Sequence, residues 1–180
     1  MTPISGLISP PQEGEYNPYY YEYIRRVPSG DVLALMQNQI ANSCALFSAL
    51  SEEQASFRPA PGEWTIKQII GHLIDSERIF SYRALRFARR DSSPLAGMEP
   101  NPYVENAHFD QQSLADLIEE FALIRRASIM LFRGFSAYDM LQIGVASGNP
   151  ISVRALIYIC AGHEHHHMES IRNVYLGMEQ

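Results

Sequence analysis

Two cysteines, Cys44 and Cys160, are all that the 180 residues contain. That is too few for a disulfide framework, and the pair is too widely separated for a paired-thiolate motif, so a reducing cytoplasm is the expected setting. Cationic stripes are missing as well. Lysine and arginine number 14 against 20 aspartates and glutamates, a formal charge of −6, and the basic residues are scattered. A surface that tracks a phosphate backbone needs them gathered, which argues against nucleic acid as a partner. No stretch approaches the roughly 20 apolar residues that cross a bilayer, and the start of the chain lacks a basic segment followed by an apolar run, so no membrane association is expected. Nor does any segment alternate convincingly in the manner of a strand, and there is no internal repeat. What is present is a chain 46% hydrophobic and 19% charged, enough for one substantial core.

The spacing of apolar residues assigns that core to helices. Residues 1–29 carry five prolines and a cluster of tyrosines (Tyr16, Tyr19, Tyr20, Tyr21, Tyr23); they read as an extended arm packed on the body, with one helical turn around Tyr19 to Arg26. Residues 30–180 form the bundle domain. Asp31 caps a first helix over 31–51, marked by Val32, Leu35, Met36, Ile40, Leu46, Phe47 and Leu50. Thr65 and Gln68 make a capping box that opens a second, 65–90. Residues 91–112, with Pro94, Gly97, Pro100 and Pro102, read as one long loop able to cover a site. Ser113 and Asp116 open a third helix, 113–133. A short helix is expected over 136–143, GVASGNP punctuates the chain, and Ser152 opens a last long helix over 152–176. The fold class is therefore all-α, a four-helix bundle with an extended N-terminal arm.

Four of the six histidines fall within five residues of that last helix: His163, His165, His166 and His167. At about 100° per residue, His163 and His167 lie about 40° apart on one face, the geometry with which two imidazoles grip one ion. Leu156, Ile159 and Cys160 share that face, so the pair points inward. His165 falls about 160° from His167 and should meet solvent. His166 sits at the edge of the buried face. A third ligand must come from elsewhere, and His72 in GHLIDSER lies on a mixed polar and apolar strip of the second helix; His108, in the proline-rich loop, is a further visitor. The string HEHHH also satisfies the HExxH spacing of zinc proteases, which would make Glu164 a general base.

At these residues a family resemblance emerges. EYNPYYYEYIRRVPSGD, PAPGEWTIKQIIGHLIDSER and AGHEHHHMESIRNVYL, in that order, resemble the DinB-like (YfiT-like) superfamily of metal-binding four-helix bundles. The resemblance implies a metal held by His72, His163 and His167, the three that the helical faces also favour. The loop GMEPNPY matches the family's G-x-D-E-N-x-Y pattern only loosely, with Pro100 in place of a second carboxylate. Similar proteins include bacillithiol transferases and thiol-dependent isomerases.

Three neutral imidazoles leave open positions on a divalent ion, zinc or nickel first, with iron, cobalt and manganese as further choices. The expected activity is transfer of a small thiol to an electrophilic small molecule; the alternatives are metal-dependent hydrolysis and non-catalytic metal or small-molecule binding. Hydrolysis would call on a proton acceptor, for which Glu164, His108, Asp75 and Glu77 are the candidates, although Asp75 and Glu77 also read as plain surface charges. Cys160 reads as a small core residue in preference to a soft ligand or nucleophile, Trp64 as a packing anchor or equally a wall of the pocket, and a homodimer is the expected assembly.

Overall fold

Every long helix begins at a side-chain cap. A computed structural model describes residues 7–178. A 3-10 turn at Pro18–Tyr20 leads into α1 (Tyr21–Ile24), and there follow α2 (Val32–Ser48), α3 (Glu52–Ala55), α4 (Ile66–Ala88), α5 (Pro100–Ala107), α6 (Leu114–Arg133), α7 (Ala137–Met140), β1 (Ile143–Ala146), β2 (Asn149–Ser152) and α8 (Val153–Ser170). The Asp31 carboxylate accepts from the amides of Leu33 and Ala34 at the start of α2. Thr65 and Gln68 form the full reciprocal box at α4, and the hydroxyls of Ser113 and Ser152 accept from the third amide of α6 and α8. Each such cap satisfies an amide that the helix leaves free and contributes about 1 kcal/mol.

Helices α2, α4, α6 and α8 make the bundle: α4 packs on α6 and α8, and α2 packs on the same two from the opposite corner. The interior is not uniformly apolar. One cluster, including Met36, Ile40, Phe87, Ile129, Phe132 and Leu156, fills one half, and a second, including Phe47, Ile70, Leu73, Leu117, Phe121 and Met168, fills the other. Between them lies a polar layer of Gln39, Ser43, Glu77, Arg125, His163 and Glu164, all buried. The bundle thus carries a buried polar layer across its waist, and the family expectation of a helical bundle holds.

Two segments differ from the sequence reading. Residues 91–112 are not one irregular loop, because α5 occupies Pro100–Ala107 and a 3-10 turn covers Phe109–Gln111. Pro100 lies in the first turn of α5, where a missing amide proton costs nothing, so it starts a helix rather than breaking one. The chain also contains a β-hairpin, with Gly144 opposite Ile151 and Val145 opposite Pro150. Its two-residue turn, Ser147-Gly148, has φ of 53° and 74°, the left-handed pair that matches strand twist. Gly144 and Pro150 hid the alternation; the glycine is needed because a Cβ there would lie 2.1 Å from the Phe87 ring.

The arm is tied to the body by polar contacts. Glu15 accepts from Arg154 Nε at 2.8 Å and from the Ser152 hydroxyl at 2.7 Å, and Tyr158 donates to the Ile8 carbonyl at 2.9 Å. Closest of all is α1 on α8. A Cβ on Gly162 would fall 1.9 Å from the Tyr23 carbonyl oxygen, so only glycine lets the arm lie this close to the helix that bears the histidines.

Candidate metal centre

His72 projects from the middle of α4, and His163 and His167 lie one turn apart on α8, so two helices packed side by side bring three imidazoles together. His163 Nε2 lies 3.1 Å from His72 Nε2 and 3.1 Å from His167 Nε2. All three ligand atoms lie within 4.8 Å of one another. Nitrogens bound at about 2.0–2.1 Å to one ion are separated by roughly 2.9–3.4 Å in octahedral or tetrahedral arrangement, so the two observed edges suit a shared ion. Ser76 Oγ lies 3.4 Å from His72 Nδ1, on the far side of the ring, as in sites where a second partner fixes ring orientation and tautomer.

Electrostatics hold these rings neutral. Burial pushes the pKa of His72 down to about 4, and burial with the neighbouring imidazoles pushes His167 down to about 3. His163 is held well below the ordinary histidine range by burial and by His167 and His72. An unprotonated imidazole is what a metal ion requires, and no proton needs displacing at neutral pH.

Aromatic rings wall the cluster. Trp64 lies 4.8 Å from the His72 ring, Tyr23 of the arm 5.2 Å from His163, and Phe80 6.0 Å from His163, centroid to centroid. The opening lies beside His167, where a pocket of about 290 Å³ is lined by Glu63, Trp64, Asn101, His166, Ser170 and Tyr175 among others. Asn101 comes from the first turn of α5, so the segment expected to cover a site contributes to the pocket as a helix end.

A family model described as the DinB superfamily matches residues 35–171. The chain belongs to the DinB superfamily. Among solved structures, YfiT from Bacillus subtilis, described as a probable metal-dependent hydrolase with an unusual four-helix bundle topology, superposes with a TM-score of 0.71 at 15% identity, over 97% of this chain and 95% of that one. At that identity the likeness speaks for the fold. Among curated proteins none matches the chain in sequence.

The remaining sequence candidates of this DinB chain fall elsewhere. Glu164 does not join the imidazoles: it is fully buried, accepts from the Ser43 hydroxyl and pairs with Arg125 at 2.8 Å. Being adjacent to His163 on a helix turns it toward α2 and α6, about 100° away. Glu77 is no surface charge either; it is 4% exposed and receives Arg125 Nε at 2.7 Å. Asp75 pairs with Arg78. His108 ends α5 in the left-handed conformation, φ 56°, exposed and outside the cluster. His165 is exposed, and His166 is half-buried beside the pocket, its ring 5.4 Å from Tyr23. Cys160 is buried, and desolvation raises its thiol pKa well above the ordinary value, which suits a core residue and not a nucleophile.

Sequence reasoning missed Arg125. The signal was present: it stands four residues after Phe121 and four before Ile129, inside the apolar stripe of α6. Among the described residues no helix is long and apolar enough to cross a membrane.

Proposed function

We propose that His72, His163 and His167 hold a divalent metal ion and that the protein transfers a small thiol to an electrophilic small molecule. The observation that carries this reading is the convergence of three neutral imidazoles, one of which, His167, lines a pocket of about 290 Å³. Such an ion lowers the pKa of a thiol placed beside it, supplying thiolate at neutral pH. The protein's own groups bind and orient. Trp64, Tyr23 and Phe80 shield the imidazoles from bulk water on three sides, and Glu63, Asn101 and His166 present polar atoms to whatever enters. No cysteine lines the pocket, so the nucleophile arrives as a second substrate. Attack by the thiolate sulfur forms a carbon–sulfur bond while the leaving group departs with the electron pair, and the thiol's proton passes to solvent.

Hydrolysis is the second reading, favoured by Glu63 and His166 on the same pocket wall, where either could accept a proton from water. Glu164 and Glu77 are poorly placed for that task, being held by Arg125. The deciding experiment incubates the zinc- or nickel-reconstituted protein with 1-chloro-2,4-dinitrobenzene and, in turn, cysteine or glutathione, beside a p-nitrophenyl ester without thiol. Thiol-dependent conjugation above background, lost in His163→Ala, supports transfer. Ester cleavage without conjugation supports hydrolysis in its place. Neither activity in protein that binds metal stoichiometrically leaves a non-catalytic binding protein.

A further inference from the structure

A second pocket lies away from the imidazoles, where the arm, the hairpin and the far half of α4 meet. Its volume is about 160 Å³, and its polar lining is Asn17, Tyr19, Tyr20, Arg83, Ser147 and Asn149. Arg83 is the unusual member. It is only 4% exposed, yet no carboxylate pairs with it among the described residues, in contrast to the buried Arg125 and Arg154. A buried charge without a counter-charge is costly, and native proteins as a rule pair it.

The hydrogen bonds of Arg83 account for only part of the guanidinium. Nη2 donates to the Ala96 carbonyl at 2.9 Å and to Ser147 Oγ at 3.4 Å. A guanidinium carries five N–H donors, and those on Nε and Nη1 have no protein acceptor among the described residues, although they are not sealed from solvent. Among the described residues no acidic one lines the pocket. Glu15 of the arm is taken by Arg154 and Ser152. Ser147 occupies a left-handed turn position, φ 53°, where glycine is the easier residue, and it is the hydroxyl this choice provides that reaches Arg83. Asn17 donates through Nδ2 to Asn149 Oδ1 at 3.0 Å, which fixes the arm to the hairpin between two residues of the pocket lining.

We propose that this pocket binds a small oxyanion of phosphate size, with Arg83 as its counter-charge and Ser147, Asn17 and the Tyr20 hydroxyl as neutral donors. The anion is either a free ion or the terminal group of a larger molecule; the chemistry recognised is the same. Arg83 stands 11 residues beyond His72 on α4, about 16 Å along the helix, so the site is separate from the imidazole cluster and does not depend on the metal reading.

The test is titration of the full chain with inorganic phosphate at constant ionic strength, followed by calorimetry and by the thermal midpoint, with chloride as control. Saturable phosphate binding that weakens at least tenfold in Arg83→Met, and severalfold in Ser147→Gly, supports the site. Glycine suits the turn, so the second variant keeps the fold, and circular dichroism verifies both. His163→Ala must bind phosphate as the wild type does, which separates this site from any metal-held anion. O-phosphoserine run in parallel identifies the source: tighter binding than phosphate marks a terminal group, weaker binding a free ion. Equal affinity in wild type and Arg83→Met, no saturable binding in the wild type, or loss confined to His163→Ala overturns the proposal.

Discussion

Arg125 and Glu77 meet at 2.7 Å in the middle of the bundle, where neither is more than 4% exposed. Arg125 also holds Glu164 at 2.8 Å and donates to Gln39 at 3.0 Å, so one guanidinium joins residues of α2, α4, α6 and α8. Glu164 directly follows His163, and the network therefore grips the helix that carries two of the three imidazoles. Removing one partner of a buried pair leaves an uncompensated charge and costs about 3–5 kcal/mol, whereas replacing all partners with well-packed apolar residues is often close to neutral. Arg125→Met should accordingly lower the urea midpoint sharply. The triple variant Arg125→Met, Glu77→Leu, Glu164→Leu should recover part of that loss, the remainder reflecting Gln39 and Ser43, which lose their charged partners. A single Arg125→Met change that left the midpoint unmoved would show that the network does not stabilise the fold.

His72→Ala and His163→Ala are each expected to abolish stoichiometric metal binding while the helical circular dichroism spectrum persists, because two imidazoles do not hold an ion as three do. His165→Ala, at an exposed position, should change nothing. Elemental analysis of untagged protein decides between these outcomes. Metal retained at one equivalent in both of the first two variants would remove the three-histidine assignment.

Acid should act on the metal-free protein through the same residues. The folded pKa of His72 is about 4 and that of His167 about 3, against about 6.5 in an unfolded chain. Between pH 6.5 and 4 the unfolded state therefore binds protons that the folded state refuses, and stability falls as the pH falls through that window. Thermal midpoints of apo-protein from pH 7 to 4 should decline, and His167→Gln should decline less steeply. Parallel slopes in the two proteins would place the acid sensitivity elsewhere.

Much of this was legible in the sequence, and what escaped has identifiable causes. Thr65 with Gln68 and Asp31 announced helix starts because capping is a local hydrogen-bond pattern. His163 and His167 announced a shared face because helical periodicity is local too. The convergence with His72 followed from its place on the inner strip of the second helix, and the resemblance to DinB proteins pointed to the same three residues. Glu77 looked like a surface charge because its partner, Arg125, is 48 residues away, and no local rule links them. Pro100 reads as part of a loop because its tolerance at a helix start depends on where the helix begins. The hairpin was missed because Gly144 exists for the Phe87 ring, a contact that only the tertiary fold creates.

Gly162 gives the sharpest test of the arm. Any Cβ at this position meets the Tyr23 carbonyl oxygen, with the built atom only 1.9 Å away. Backbone cannot swing aside as a side chain can, so Gly162→Ala must displace α1 from α8. Overpacking of this kind costs about 1–3 kcal/mol. The consequence should be local first: Tyr23, whose ring edges His163 and His166, moves off the imidazoles, and the backbone at Arg25 and Arg26, now held by amide bonds to the Tyr21 and Tyr23 carbonyls, loosens enough for trypsin to cut. The variant should therefore be clipped within the arm at protease levels that leave the wild type intact, while the bundle beyond residue 30 persists. If the ion site depends on its aromatic wall only for shielding, the variant keeps its metal but releases it faster to a chelator. Tryptic resistance and chelator kinetics equal to those of the wild type would mean that the arm neither rests on Gly162 nor shields the three histidines.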